Sequence, residues 1–367
     1  MPLKWKKRWI SDESFESAGV FDVLGDGKAH IVSGAFWYEG PDFRKKHEIG
    51  PVGKYGEYYD DFSTLPLDVN GDGRMDFVTG GWFGKTLLWK ENPGKPGAPW
   101  PVHPIAEVGQ IETARAWDVD GDGVAELIPN TPNTREVKIF KLDTDKEGRG
   151  LGTFTSHTIH TFPEGEKQDH GLGCGDVAGN GRADILLRQG WLECPADPWR
   201  DRWVWHPDFP DPVWARASVP MLAVKLKGVD RGAVLTGSGH GYGLWWSEQR
   251  AERGERRWIH HPIDPENAQY HDLQWADVDG DGECELVTGK RHRAHCGHEA
   301  GEWDDAGIYY FKWNGESFSK QVIEYGPIGV GKGCGLQFAL HDLFGTGRLD
   351  LIAPGKDGLV VYENLGP

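Results

Sequence analysis

The chain has 367 residues, 57 acidic against 40 basic side chains, a net charge of −17, 52 glycines, 23 prolines and 18 tryptophans. Such acidity excludes a general nucleic-acid binder, because nothing offsets phosphate repulsion, and no apolar run approaches the ~20 residues of a membrane span. The aromatic content excludes a disordered chain, and glycine and proline punctuating short apolar runs favour many short strands over helices.

The N-terminus, Met1 to Trp9, is basic but runs into no apolar stretch or small-residue cleavage site. No signal peptide is read there, so a cytoplasmic location is expected; secretion is expected instead if a leader has been removed. Five widely spaced cysteines, Cys174, Cys194, Cys284, Cys296 and Cys334, do not read as a disulfide framework. The segment KWKKRWISD (4–12) resembles a later strand, RRWIHHPID (256–264).

One phrase then recurs: a strand, Asp-x-x-Gly-x-Gly, two residues, an acid and an apolar strand. Its copies are FDVLGDGKAHIVSG (21–34), LDVNGDGRMDFVTG (67–80), WDVDGDGVAELIPN (117–130), GDVAGNGRADILLR (175–188), ADVDGDGECELVTG (276–289) and HDLFGTGRLDLIAP (341–354). The lead aspartates, Asp22, Asp68, Asp118, Asp176, Asp277 and Asp342, are separated by 46, 50, 58, 101 and 65 residues. The double-length step hides a seventh unit with an eroded turn, LAVKLKGVDRGAVLTGSG (222–239). Each unit continues with a third strand, such as LLWKE or GIYYFKW, and usually a fourth, such as WPVHPIA or KQVIEYG. The last unit stops after its third strand, at Gly366-Pro367.

Four antiparallel strands per ~40–50 residues is the period of a β-propeller blade. The expected fold is therefore all-β: a seven-bladed β-propeller of four-stranded antiparallel blades, one domain spanning 1–367. The N-terminal strand 4–12 is expected to complete the last blade and close the ring, which removes an open edge. A β-helix has shorter repeats, and two stacked sandwiches do not explain the regular acid turn.

These units resemble the FG-GAP or VCBS repeat family of seven-bladed propellers over essentially the whole chain. That resemblance implies a fold and leaves the activity open. The motif HGLGCGDVAGNGRADIL with the following GWLECP is similar to the propeller of aldos-2-ulose (anhydrofructose) dehydratases, although their cupin domains have no counterpart here. The repeat style also resembles ulvan-type polysaccharide lyases, which use His, Tyr and Arg.

In the turn D-x-[DN]-G-[DN]-G-x-x-[DE], oxygens at positions 1, 3, 5 and 9 converge, and a hard oxygen set of this size suits Ca2+. Three turns are complete: Asp68/Asn70/Asp72/Asp76, Asp118/Asp120/Asp122/Glu126 and Asp277/Asp279/Asp281/Glu285. About three structural calcium ions are expected. The competing reading is that these acids only cap exposed turns. The turn of Asp176, Asn180 and Asp184 has Ala178 at position 3 and is weaker.

Because the strands alternate direction, the acid turns lie on one face. The segments entering each first strand and the loops after each second strand lie on the other. The entry segments are polar: Glu16-Ser17, Tyr58-Tyr59-Asp60-Asp61, Glu112-Thr113, Asp169-His170, Arg216, Tyr270-His271-Asp272 and Gln337. The loops carry Trp37, Trp82, Trp191, His240 and Tyr242, and a long insert, KRHRAHCGHEAGEWDDAG (290–307). Converging polar groups around one channel mouth are the signature of a site. Trp37, Trp82, Trp191 and Tyr242 present flat faces suited to sugar stacking, or else pack between blades. In the insert, His292, His295 and His298 beside Cys296 either hold a borderline metal such as Zn2+ or Mn2+, completed by His170 or His271, or form a solvated basic loop.

Phosphate loops, G-x-S-x-G turns, H-E-x-x-H and dinucleotide fingerprints are missing from the sequence. A His/Tyr/Arg set suits proton abstraction next to a carbonyl or carboxylate, followed by loss of an oxygen leaving group. The expected activity is a metal-assisted carbon–oxygen lyase acting on a keto-sugar or a uronate-containing glycan. His170 or His271 is the expected base, Tyr59 a second proton carrier, and Arg216 or Arg291 the charge stabiliser. Asp60, Asp61, Glu112, Trp37, Trp82, Trp191, His240, Tyr242 and Gln337 are the expected substrate contacts. A small sugar or glycan is the expected partner, with no nucleic acid and no membrane. The alternative is a non-catalytic propeller that binds glycan or protein, as the integrin-like members of the resembled family imply.

Overall fold

The computed structural model describes residues 2–252 and 255–367. It is all-β; the one helical turn among the described residues is Pro212–Trp214. Apart from a small hairpin of Lys54–Tyr55 and Tyr58–Tyr59, the strands group into antiparallel meanders of four, and the fourth and fifth meanders share one sheet through a short parallel pairing of Leu172–Gly175 with Met221–Val224. The first unit runs from Gly19–Phe21 to Lys45–Glu48, the second from Leu65–Leu67 to Val102–Glu107, and the third from Thr113–Trp117 to Gly150–Thr161. The fourth runs from Leu172–Gly175 to Val204–His206, the fifth from Met221–Val224 to Glu255–Ala268, and the sixth from Tyr270–Ala276 to Phe318–Gly326. The seventh has three strands of its own, Ala339–His341, Asp350–Ala353 and Leu359–Asn364, and takes Trp5–Ser11 as its fourth. Trp5 lies opposite Asn364 and Trp9 opposite Val360, which is the pairing expected of KWKKRWISD. The eroded stretch 222–239 also folds as expected, into the first two strands of a unit.

Apolar residues alternate along these strands, and each buried face meets the neighbouring unit. Val32 and Trp37 of the first unit pack with Phe77 of the second. Ile128 and Val137 of the third pack with Ile185 and Leu192 of the fourth. The series continues through every consecutive pair. Ile352 and Val361 of the seventh pack with Ile31 and Tyr38 of the first.

The acid turns share one wiring. The lead carboxylate accepts main-chain N–H groups from inside its own turn: Asp118 from Gly121 and Gly123, Asp277 from Gly280 and Gly282. Those glycines sit at φ 75–91°, where a side chain is disfavoured. The ninth residue is buried and accepts the main-chain N–H of the second: Asp76 from Val69, Glu126 from Val119, Glu285 from Val278. Arg74, Arg182 and Arg348 at the seventh position each donate Nε to a carbonyl at or just beyond the end of the third strand. Val124 and Glu283 stand at that position in the two fully acidic turns. There a third-strand lysine supplies the positive charge: Lys141 contacts Asp120 and Asp122, and Lys312 contacts Asp279 and Asp281.

The turn 68–76 departs from the convergence expected of a calcium loop. Among the described residues, Asp118, Asp120 and Asp122 bring carboxylate oxygens together, as do Asp277, Asp279 and Glu285, but Asp68, Asp72 and Asp76 do not. The Asp72 carboxylate is drawn off by the Arg74 guanidinium. Asn70 Oδ1 accepts the Asp72 main-chain N–H at 3.2 Å, so it serves the turn's own backbone. Asp76 spends one oxygen on the Val69 N–H and the other on the Asn92 N–H. The arginine at position 7 brings a cation to the Asp72 carboxylate, as Lys141 does to Asp120 and Asp122 and Lys312 to Asp279 and Asp281. Asn70 caps its turn as Asp120 does, each accepting the main-chain N–H two residues on.

A second repeated device joins third and fourth strands. Trp37 stacks on His47, Trp191 on His206 and Trp246 on His261, each at 4.1 Å, and Trp89 stacks on His103 at 4.4 Å. Each histidine then bonds the glutamate two residues after its tryptophan: Glu39, Glu193, Glu248 and Glu91. Trp37 and Trp191 are almost fully buried. They are therefore core residues and not sugar platforms, because their faces are already covered.

Candidate functional site

The entry segments bring their side chains to one place because the backbone turns sharply before the first strands. Asp169 and Arg216 have φ of 64° and 58°, a conformation L-residues rarely adopt. His170 and Ala217 follow them, and His170 Nδ1 bonds the Ala217 carbonyl at 2.7 Å. Arg115 is buried and donates to Asp272 at 2.9 Å and to the Leu336 carbonyl at 3.2 Å, tying the third unit to the sixth and to the segment entering the seventh. The same entry segments line a cavity of about 420 Å³.

Its floor is a carboxylate–imidazole cluster. Glu112 Oε1 lies 3.1 Å from His271 Nε2 and 3.5 Å from His170 Nε2, and the two Nε2 atoms are 3.2 Å apart. His240 is the fourth member, with all four ligand atoms within 4.8 Å of one another. Arg291 is buried behind them, bonded to Glu16 at 2.8 Å and to Glu112 at 3.4 Å. Burial pushes the Glu112 carboxyl up, but the two imidazoles beside it, His170 and His271, prevail and hold it well below its usual range. Burial drives His271 well below the usual imidazole value and His240 down to about 4. Both rings are therefore neutral at pH 7, as lone-pair donors must be.

The walls differ in character. Tyr58, Phe62, Trp82, Phe83 and Pro132 are its aromatic and apolar members. Arg216, Lys167, His295 and Glu299 are among its polar ones. Arg216 Nη1 donates only to the His240 carbonyl, at 2.9 Å, and Lys167 Nζ only to the Asn133 side chain, at 2.8 Å. Among the described residues neither is paired with a carboxylate.

The sequence places His170, His271, His240, Glu112, Arg216, Arg291 and Trp82 around this cavity, and the structure brings them together. Several others lie elsewhere. Tyr59 packs against Phe15, ring centroids 4.4 Å apart and tilted, outside the cavity, while its neighbour Tyr58 lines it. Asp60 accepts the main-chain N–H groups of Phe83 and Gly84, shaping the loop and not facing a ligand. Asp61 is buried against Thr79 and Ser17. Gln337 bonds the main chain of Thr64. Tyr242 is half exposed and donates to Asp304 at 2.7 Å.

The histidines of the insert do not converge. His295 faces the cavity, His292 is buried near Asp357 and Lys332, and His298 lies outside the cavity lining. The loop reverses at Arg293 and Cys296, both with positive φ, so side chains three residues apart point in different directions. The residue sequence reasoning missed is Glu299, which bonds both His240 and His295. Its spacing of four from His295 was the available signal.

The FG-GAP-like repeat profile matches residues 68–128. Among solved structures the chain is similar to exotype rhamnogalacturonan lyase YesX, at 14% identity over 99% of this chain and 73% of that one, with a TM-score of 0.51. It also matches a Tc holotoxin pore from Photorhabdus luminescens at 14% identity, over 98% of this chain and 15% of that one, with a TM-score of 0.36. A search of curated proteins found no match. At this identity the likeness to YesX concerns the fold.

Proposed function

We propose that the protein is a carbohydrate-active carbon–oxygen lyase that eliminates an oxygen substituent from a keto-sugar or uronate held in this cavity. The observation that carries the reading is the Glu112/His170/His271/His240 cluster at a cavity lined by aromatic side chains and by two cations, Arg216 and Lys167, that pair with no carboxylate among the described residues. The likeness in fold to a rhamnogalacturonan lyase is compatible with it. We read the seven meanders as the blades of one closed propeller domain, 1–367; the cores between successive units and the pairing of Trp5–Ser11 support this.

Trp82 and Phe83 offer flat apolar faces to a sugar ring. Arg216 takes the carbonyl or carboxylate oxygen and stabilises the negative charge that develops there. His271 is too deeply buried to meet substrate and His170 turns its Nε2 onto His271, so the proton acceptor is assigned to His295. Its Nδ1 is engaged by Glu299 at 2.6 Å, which leaves Nε2 for the substrate's α-proton. The C–H electron pair becomes the new double bond, the C–O bond breaks, and the Tyr58 hydroxyl, which rests on the Ala294 carbonyl at 3.1 Å, leaves it to give a proton to the leaving oxygen. Burial raises the Tyr58 hydroxyl well above its ordinary value, so it is protonated at neutral pH.

The cluster fits a borderline divalent metal such as Zn2+ or Mn2+: three imidazoles and a carboxylate converge, and the Ala217 carbonyl commits His170 Nδ1 to donate, leaving Nε2 as a lone pair. When bound by Glu112, His170, His271 and His240, such an ion supplies Lewis-acid polarisation of the sugar carbonyl. The turns 118–126 and 277–285 fit calcium in a structural role. Their side-chain donors are all oxygen, and Glu126 Oε1 and Asp279 Oδ1 are buried without a hydrogen-bond partner. Lys141 and Lys312 compete for the same carboxylates. The turn 68–76 is the weaker third candidate, because its carboxylate oxygens converge less and Arg74 holds Asp72.

The test is a screen of keto-sugars and uronate oligosaccharides for the absorbance of an unsaturated product, with Arg216→Ala and His295→Asn alongside. Product formation that both variants reduce by roughly a hundredfold or more is expected. No product from either substrate class, with sugar binding intact, overturns the lyase in favour of a binding protein.

A further inference from the structure

The insert 290–307 is held in a defined shape. Lys290 Nζ bonds the carbonyls of Gly301 and Asp304 across its neck. The buried carboxylate of Glu302 accepts the His295 N–H, and Trp303 Nε1 bonds the Gly297 carbonyl at 3.2 Å. These contacts deliver Glu299 to a position between two imidazoles. Oε2 lies 3.0 Å from His240 Nδ1 and Oε1 2.6 Å from His295 Nδ1, and the two rings stack at 4.6 Å.

An imidazole has two nitrogens, and the partner of one decides what the other can do. With Nδ1–H donated to Glu299, Nε2 is the His240 nitrogen left with a lone pair, and His240 has a ligand atom within 4.8 Å of those of Glu112, His170 and His271. Its ring meets that of His170 edge-on at 4.3 Å. His170 is set by the Ala217 carbonyl, and Glu112 bonds His271 directly at Nε2. His240 alone depends on a carboxylate brought from outside the first strands.

We propose that Glu299 is the positioning residue of the metal centre: it fixes the tautomer of His240 as a ligand, so that the insert controls how tightly the floor cluster holds a metal. This rests on the metal reading above. Loss of a carboxylate behind a ligating histidine costs roughly ten- to a hundredfold in metal affinity. The other imidazole on Glu299, His295, is not a ligand in this scheme.

The test uses zinc alone, with chelator competition and metal content per chain on the purified protein. Glu299→Gln and His240→Asn are expected to weaken zinc by roughly tenfold or more, while His295→Asn leaves it within about twofold, all with melting temperatures near that of the parent. Wild-type affinity in Glu299→Gln, with His240→Asn impaired, overturns the inference and leaves the metal reading standing. Unchanged affinity in His240→Asn overturns the ligand set. A parent protein that takes up no zinc overturns both.

Discussion

His170 Nε2 and His271 Nε2 face one another at 3.2 Å, and Glu112 Oε1 is within 3.5 Å of both. Two neutral imidazoles whose lone pairs met at that distance would repel, so a proton or a cation belongs between them. His271→Asn is expected to abolish stoichiometric zinc while the melting temperature changes little. Full zinc content in that variant sinks the cluster as a metal centre.

The two tryptophan classes separate stability from binding. Trp37 is buried against His47, so Trp37→Ala leaves a large cavity and is expected to cost about 3–5 kcal/mol. Trp82→Ala removes a cavity wall and is expected to weaken sugar binding with little change in thermal stability. Chemical denaturation and sugar titration of both variants check this; a reversed pattern contradicts the assignment.

Lys141 sits on Asp120 and Asp122, with Glu126 at 3.7 Å. An ammonium there and a calcium ion are mutually exclusive by repulsion. Lys141→Met is expected to tighten calcium at the turn 118–126 by roughly tenfold or more and to leave the turn 277–285 unaffected. Calorimetric titration against calcium decides; an unchanged affinity means that the lysine already turns away when calcium binds.

His160 stacks on Trp205 at 5.0 Å with Nε2 buried and unpartnered, and burial lowers its pKa. The unfolded chain then takes up a proton below about pH 6.5 that the folded ring resists. Its contribution to stability is present above that pH and falls away as the pH drops. The loss of stability between about pH 7.5 and 5.5 should be smaller in His160→Phe than in the parent. Equal losses by denaturant titration rule out this group as a source of acid sensitivity.

Much of the fold was legible because the acid turn is a local device. Its lead carboxylate bonds its own glycine N–H groups and its ninth residue bonds its second, so one short phrase specifies one hairpin wherever it occurs. The four-strand meanders, the hidden fifth unit and the pairing of Trp5–Ser11 all follow from reading that phrase. The ion-binding capacity of each turn was less legible. Asn70 and Asp72 satisfy the pattern, yet a neighbouring arginine outside the pattern takes the Asp72 carboxylate. The candidate site was legible only at the level of segments. Tyr58 and Tyr59 are interchangeable in a sequence pattern, yet a tight hairpin sends one ring into the cavity and the other onto Phe15. The Trp-x-Glu phrase recurs four times, at 37–39, 89–91, 191–193 and 246–248, but only packing reveals that each tryptophan is covered by a fourth-strand histidine.

What the sequence determined by itself is therefore the repeating architecture, because hydrogen bonds between residues close along the chain carry it. The tertiary structure alone decided which side chains meet. Glu112, His170, His240 and His271 come from four different units, and Glu299 from an insert. Their contact depends on how successive units pack around a common centre, and no spacing along the chain encodes that distance.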